Sequence, residues 1–336
     1  MRFRNRQISQ KSINEMVYNN GVPRKLQFSG VDALTVARLM GKQVLGPVNT
    51  VNSVSGLGPD LTHNSLVYLS EESFAKHLYG THSSVVTNSE LAKLVPADCS
   101  VIEVDSEPKG EWGNVLVGLK RYREIFPSYI DKSVQIHKTA KVGTEVYLDE
   151  NVIVRENSNL IGPLYVGKNS VIGPGAVIGN DGFELSVLNG KQNSIVHMGG
   201  VWISSEVEIR SNVVIDKSFD GGFTFIGSGT KIDSQVFLAH AVEIGNNCVI
   251  IAGSKVAGST IIGANSKLML NSSIAHGIKI GDHSVIGIGA VVMKDVPSNA
   301  VIMGHHRLIG FRCLCGRSLL PEDSDKTCKC GYHWSK

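Results

Sequence analysis

Residues 226–292 read IGSGTKIDSQVFLAHAVEIGNNCVIIAGSKVAGSTIIGANSKLMLNSSIAHGIKIGDHSVIGIGAVV, and every sixth residue is aliphatic: Ile226, Ile232, Leu238, Ile244, Ile250, Val256, Ile262, Leu268, Ile274, Ile280, Ile286 and Val292. A helix of 3.6 residues per turn would drift off that register within two turns, and a strand alternates every two residues. A strict period of six therefore implies short extended segments with a corner after each, the pattern of a hexapeptide β-helix. The position after the aliphatic is often glycine (Gly227, Gly245, Gly263, Gly281, Gly287), which is expected to ease a tight corner. Four positions after it, small or β-branched residues recur, from Thr230, Val236 and Val242 to Ser284 and Ala290, and these should point inward beside the aliphatics.

Working outward, the period starts at Ile136 and runs through Val142, Leu148, Val154, Leu160, Val166, Ile172 and Ile178. It breaks at GNDGFELSVLNGKQNSIVHMGG (179–200), resumes at Ile203, Ile209 and Ile215, and slips once more at KSFDGGF (217–223). Segments ejected from a solenoid are commonly functional or disordered. Upstream the text changes character. Leu34, Val36, Ala37 and Leu39 suggest a short helix, SLVYLS (65–70) and SSVVTN (83–88) read as strands, and SFAKHLYG between them reads as helical. Asn114 is placed to cap a helix carrying Val115, Leu119, Tyr122 and Phe126, ended by Pro127. The expected organisation is a poorly fixed arm (1–28), an α/β domain (29–130), a hexapeptide β-helix (131–305) and a tail (306–336). The fold class is mainly β.

The 336 residues suffice for two or three domains, and a net charge of +3 with 19% charged residues demands no nucleic-acid partner. The basic start MRFRNRQISQKS is followed by no apolar run, and no stretch reaches the length of a membrane span, so a soluble, cytoplasmic protein is expected. Thirty-six glycines and 6% aromatics suit a repeat solenoid.

Three hexapeptides make a triangular coil of 18 residues, and coils stack at ~4.8 Å. Residues 18 apart should then lie one above the other, and residues 36 apart two layers, or ~10 Å, apart. His240 and His276 both stand two positions after their aliphatic, with Gly258 midway between them. All three are expected at one outward corner, with Asp233 one side of the prism earlier. His197, in the ejected segment, is expected at the surface.

The segments GNDGF (179–183), IDKS (215–218) and IDSQVFLAHAVEIG (232–245) followed by VAGSTIIG resemble the UDP-3-O-acylglucosamine N-acyltransferases of lipid A biosynthesis. So does SGLGPDLTHNSLVYLSEESFAKHL, which is similar to that family's uridine-binding domain, and the likeness covers roughly residues 30–300. It implies a left-handed parallel β-helix, a homotrimer with sites between neighbouring prisms, and no cofactor for catalysis. The partners implied are a nucleotide-linked amino sugar and an acyl carrier protein or acyl-CoA, in lipid A or a related surface-polysaccharide synthesis. In that scheme His240 is the general base, Asp233 its orienting partner and Gly258 the oxyanion position. Tyr68 and Phe74 match two aromatics that hold uracil, Glu71 stands where the family has asparagine, and Asp181 and Phe183 of GNDGF fall to substrate binding. The family's second histidine aligns with Gly277, one place after His276. The roles suit the chemistry: a histidine with a pKa near 6.5 can take the proton an amine loses as it attacks a thioester, and a backbone N–H can meet the oxyanion.

The tail departs from the family. Cys313, Cys315, Cys328 and Cys330 form C-x-C-G, a connection, then C-x-C-G, which suits a structural zinc in a zinc-ribbon-like site of four cysteines. Two other readings remain open on the sequence. One is a zinc hydratase resembling γ-class carbonic anhydrases, which use histidines at this spacing, although the third ligand position is Gly281. The other is a non-catalytic scaffold.

Overall fold

In the computed structural model the described residues are 23, 25–57, 61–304, 307–313 and 318–319. The N-terminal unit is a five-stranded sheet flanked by two helices. Helix α1 (Ala33–Met40) begins where the Asp32 carboxylate accepts from the Thr35 N–H at 2.7 Å and stops at Gly41, whose φ of +66° is the left-handed cap. Strands β1 (Val44–Leu45), β2 (Ser53–Val54), β3 (Ser65–Leu69), β4 (Ser84–Thr87) and β5 (Ser100–Glu103) lie in the order β1-β5-β4-β3-β2, with only the β1–β5 pair antiparallel. The segment between β3 and β4 is a 3-10 helix over Glu72–Leu78.

Helix α2 corrects the sequence expectation. It spans Pro108–Leu119, so Asn114 sits mid-helix rather than at a cap, and Tyr122 and Phe126 lie beyond its end. Pro108 at the first turn supplies a pre-set φ and lacks an N–H that would have gone unpaired there, a start signal stronger than Asn114. Trp112, Leu116 and Leu119 are fully buried against the sheet. The other face carries Gly110 and Gly113, where a β-carbon would stand 2.5 Å from the Val187 carbonyl oxygen and 2.9 Å from Ile195. These two glycines let the ejected segment of the solenoid lie directly on the helix.

From Tyr129 onward, strands of mostly two residues alternate among three parallel sheets, the architecture of a left-handed parallel β-helix. The coil starts one hexapeptide earlier than the sequence suggested, at Tyr129–Ile130. Pairing follows the 18-residue ruler: Leu238 lies beside Val256, and Val256 beside Ile274. All twelve aliphatics from Ile226 to Val292 are at most 3% exposed. Between them the inward hydroxyls are satisfied by the next coil, as where Ser254 donates to Met269 O at 3.0 Å and Thr260 to Ala275 O at 3.0 Å.

The glycines after the aliphatics serve a different purpose from the one expected. The left-handed corner falls two positions later, at Gln235, Ala241, Asn247, Gly253, Ser259, Asn265, Asn271, Gly277, His283 and Gly289. Gly227, Gly245, Gly263 and Gly281 instead stack in one column so tight that a β-carbon at Gly263 would stand 2.5 Å from the Asp282 nitrogen. They are needed for close approach of backbones, not for a turn.

Both breaks in the period leave the core register untouched: Val166 pairs with Ile203, and Ile203 with Ile226. The first ejected segment forms a hairpin of Leu185–Leu188 and Lys191–Ser194. Residues 25–28, read as part of a loose arm, are fixed. Leu26 is 1% exposed, bonds to Gly221 O at 2.8 Å, and joins a cluster with Phe126, Tyr147, Tyr165, Trp202 and Phe223. The remainder of the arm, residues 1–22 and 24, lies outside the described residues, as do Cys315, Cys328 and Cys330; Cys313 is described and buried. Beyond the last coil, Ala300–Met303 and then Arg307–Arg312 extend one sheet, the latter antiparallel.

Candidate active site

His240 follows strand Phe237–Leu238 and precedes Ala241, whose φ of +55° turns the corner. Ser259 and Gly277 turn the same corner on the next two coils, at +56° and +71°, so His240, Gly258 and His276 form one column. The imidazole does not stand straight out. It crosses the Gly258 α-carbon, where a β-carbon would press on Cε1 and stand 2.5 Å from Nε2. By lying in the Gly258 layer the ring comes within 6.0 Å of the His276 ring, much nearer than the ~10 Å between their coils.

The two segments that break the period close over this ring. Phe219 meets it edge-on at 5.2 Å and His197 at 5.9 Å, while a β-carbon at Gly182 would be 3.4 Å from His240 Cβ. His240 is left 7% exposed. Its Nε2 lies 3.4 Å from Glu184 Oε2, and the other oxygen of Glu184 is 2.6 Å from Lys109 Nζ on α2. Its Nδ1 is buried with no hydrogen-bond partner among the described residues. Burial holds the His240 pKa below its ordinary value, with the Glu184 carboxylate pulling the other way.

His197 is 2% exposed, not at the surface as expected. The ejected segment folds inward because Ile195 and Met198 belong to the apolar core under α2. Its Nδ1 donates to Ile195 O at 3.0 Å, which leaves Nε2 the unprotonated nitrogen, and burial depresses its pKa. Beneath Gly182 lies Asp216, whose pKa burial raises to about 6 although Asn180 donates to it at 3.3 Å. Asp181 pairs with the buried Lys217 at 2.6 Å.

Of the other residues singled out, Asp233 is exposed on a different corner and accepts from the Ser234 N–H at 2.7 Å. The carboxylate beside His240 within this chain is therefore Glu184, not Asp233. Sequence reasoning missed it, although it directly follows GNDGF, because spacing says nothing about how an ejected segment folds back. His276 is exposed, and Phe183 is 84% exposed. Tyr68 packs on Trp112 at 5.1 Å, Phe74 lies against His77, and Glu71 is exposed at the start of the 3-10 helix. Tyr68 nonetheless connects to the site through rings, since Trp112 touches Phe219 at 6.4 Å. A cavity of about 500 Å³ opens beside the same corner, between Gln27, Asn52, Thr62 and His63 of the N-terminal unit and Phe225, Ala241, Glu243 and Ser259 of the coils.

Among the described residues of the single chain no three His, Cys, Asp or Glu side chains are grouped to hold a metal ion. What the corner offers is a buried imidazole with one carboxylate and a donor beside it. Ala257 and Ser259 donate into the coil, to Ile274 O and His240 O at 3.0 Å, whereas the Gly258 N–H makes no such backbone bond among the described residues.

No family model matches the chain. It is 30% identical over 253 residues to the UDP-3-O-acylglucosamine N-acyltransferase of Fusobacterium nucleatum, covering 68% of this chain and 74% of that protein. The enzyme of the same name from Methylacidiphilum infernorum is 52% identical over 133 residues, 40% of this chain and 38% of that one. Among solved structures, the UDP-N-acetylglucosamine acyltransferase of Bacteroides fragilis aligns with a TM-score of 0.43 at 26% identity, over 55% of this chain and 74% of that one. With the Fusobacterium nucleatum relative matched over 74% of its length, the chain belongs to the UDP-3-O-acylglucosamine N-acyltransferase family and is an acyltransferase, which sets aside the reading as a non-catalytic scaffold.

Proposed function

We propose that the protein moves an acyl group from an acyl thioester to the amine of a UDP-linked, 3-O-acylated glucosamine in lipid A synthesis, with His240 as the general base. The Fusobacterium nucleatum relative carries that acceptor in its name. The observation that carries the assignment is the seat of the His240 ring on Gly258, which puts a buried, low-pKa imidazole next to a backbone N–H that the coil does not use among the described residues. The amine nitrogen attacks the thioester carbonyl carbon while His240 takes its proton, and the Gly258 N–H meets the oxyanion. Collapse breaks the C–S bond, and the imidazolium returns the proton to the departing sulfur, giving an amide and a free thiol. No covalent enzyme intermediate and no catalytic cofactor are required.

The same reading puts the work in the cytoplasm and in a homotrimer, where Asp233 would face a neighbouring prism. The donor is acyl carrier protein or acyl-CoA. Tyr68, Phe74 and Glu71 fall to nucleotide recognition and His276, Asp181 and Phe183 to the acceptor. A structural zinc on Cys313, Cys315, Cys328 and Cys330 rests on the sequence pattern alone. The decisive experiment is His240→Ala assayed with UDP-3-O-acylglucosamine and a 3-hydroxyacyl thioester. A loss of about 10²- to 10⁴-fold in kcat is expected, and wild-type turnover would remove His240 from the base role.

A further inference from the structure

We propose that Glu184, reaching in from the ejected segment, is the positioning carboxylate of His240, and that Lys109 on α2 sets how strongly it acts. This rests on the reading of His240 as the base and adds a residue that spacing did not suggest. The two Glu184 oxygens are divided between an ammonium at 2.6 Å and the Nε2 edge of His240 at 3.4 Å. The three side chains are 29% (Lys109), 21% (Glu184) and 8% (His240) exposed, so little solvent stands between the charges.

Every other charged group around the ring is committed elsewhere. Asp181 is held by Lys217, Asp216 by Asn180, and Asp220 by Lys25, Ser218 and the Gly222 N–H. His197 gives its Nδ1 proton to Ile195 O, and His276 points into solvent. Glu184 is the carboxylate within ion-pair distance of His240 among the described residues. The Glu184 carboxylate stands 3.4 Å from Nε2, an ion-pair contact once the imidazole takes up a proton, while Nδ1 is buried with no hydrogen-bond partner among the described residues. A carboxylate in that position holds the ring edge from one side and stabilises the imidazolium formed during transfer. Because Lys109 belongs to the N-terminal unit, the strength of the base is tied to how that unit is seated on the coils.

The test compares Glu184→Gln and Lys109→Met with the wild-type full chain in the pH profile of kcat/KM, alongside an NMR titration of the His240 imidazole without substrate. Removing the carboxylate should lower kcat/KM by about 10²-fold, the scale of a misplaced catalytic group, and move the acidic limb to lower pH. Removing the ammonium frees the carboxylate for His240 alone and should move the limb to higher pH. Charge removal alone shifts the two limbs in opposite directions, so the positioning role is read from the fall in kcat/KM on its pH-independent plateau; a Glu184→Gln plateau equal to wild type, or limbs that both stay put or move the same way, overturn the proposal. If Glu184→Gln fails to fold, Glu184→Asp, which keeps the charge but shortens the reach to Nε2, decides: a plateau kcat/KM equal to wild type overturns the proposal. If the assay shows no turnover at all, the proposed substrates are wrong, and the NMR titration still answers for Glu184.

Discussion

The His240 ring occupies the space that a side chain at Gly258 would fill, eighteen residues and one coil away: a β-carbon there would stand 2.5 Å from Nε2. Gly258 is not in the left-handed region, so alanine is permitted there by the backbone. The closest steric conflict is with the imidazole. With that ring closed in by Phe219 and His197, Gly258→Ala should destabilise by about 1–3 kcal/mol and lose about 10²-fold in kcat/KM. A melting curve and a rate measurement on the same sample check both halves.

Asp216 offers a stability test whose sign follows from its pKa. Burial lifts it from 3.8 to about 6, so the native state prefers the protonated acid. That preference stabilises the fold below about pH 4 and is lost as pH rises to about 6. Asp216→Asn keeps the shape and an acceptor for Asn180 while removing the charge. The Tm of the variant relative to wild type should rise between pH 4 and pH 7; a difference flat across that range would mean the carboxyl is not strained by its surroundings.

The N-terminal unit is fastened to the coils by Lys25, whose Nζ is 2.7 Å from Asp220 and 2.7 Å from Ser55. Burial alone would raise the Asp220 pKa, but the Lys25 ammonium together with Ser218 and the Gly222 N–H holds it below its ordinary value. Lys25→Met leaves that carboxylate without its cation. Since Lys25 keeps 23% of its side chain in solvent, the cost should fall at the low end for a broken buried pair, about 3 kcal/mol, read as a lowered denaturation midpoint.

Two glycines of the coil should respond in opposite ways. Gly263→Ala forces a β-carbon against the Asp282 backbone and should destabilise by about 1–3 kcal/mol. Gly289 has φ +62° with open space around it, so Gly289→Asn, the residue used at the equivalent corners Asn247, Asn265 and Asn271, should be close to neutral. Chemical denaturation of both variants separates the two roles of glycine in this fold.

The coil was legible because a strict period leaves one solution: an aliphatic at every sixth position has to face a common axis, and the pairings of Leu238, Val256 and Ile274 follow from it. The same ruler located the His240, Gly258 and His276 column. It misassigned the corner glycines because period alone cannot separate a turn from a close backbone approach. It was silent on Glu184, His197 and Phe219, which reach the site from the two segments that leave the period. Helix α2 was mislocated because its small residues, Gly110 and Gly113, blur an apolar stripe that only makes sense once the Leu185–Ser194 hairpin is laid on it.

The coil is indifferent to the length of what it ejects. Val166 pairs with Ile203 and Ile203 with Ile226 across both insertions, so the register of the prism is carried through them. The walls around His240 are thus built by the insertions while its seat on Gly258 is built by the coils. Because the 179–199 passage carries Glu184 and His197 to that seat, exchanging it would leave the coil register in place and change the groups that surround the His240 ring.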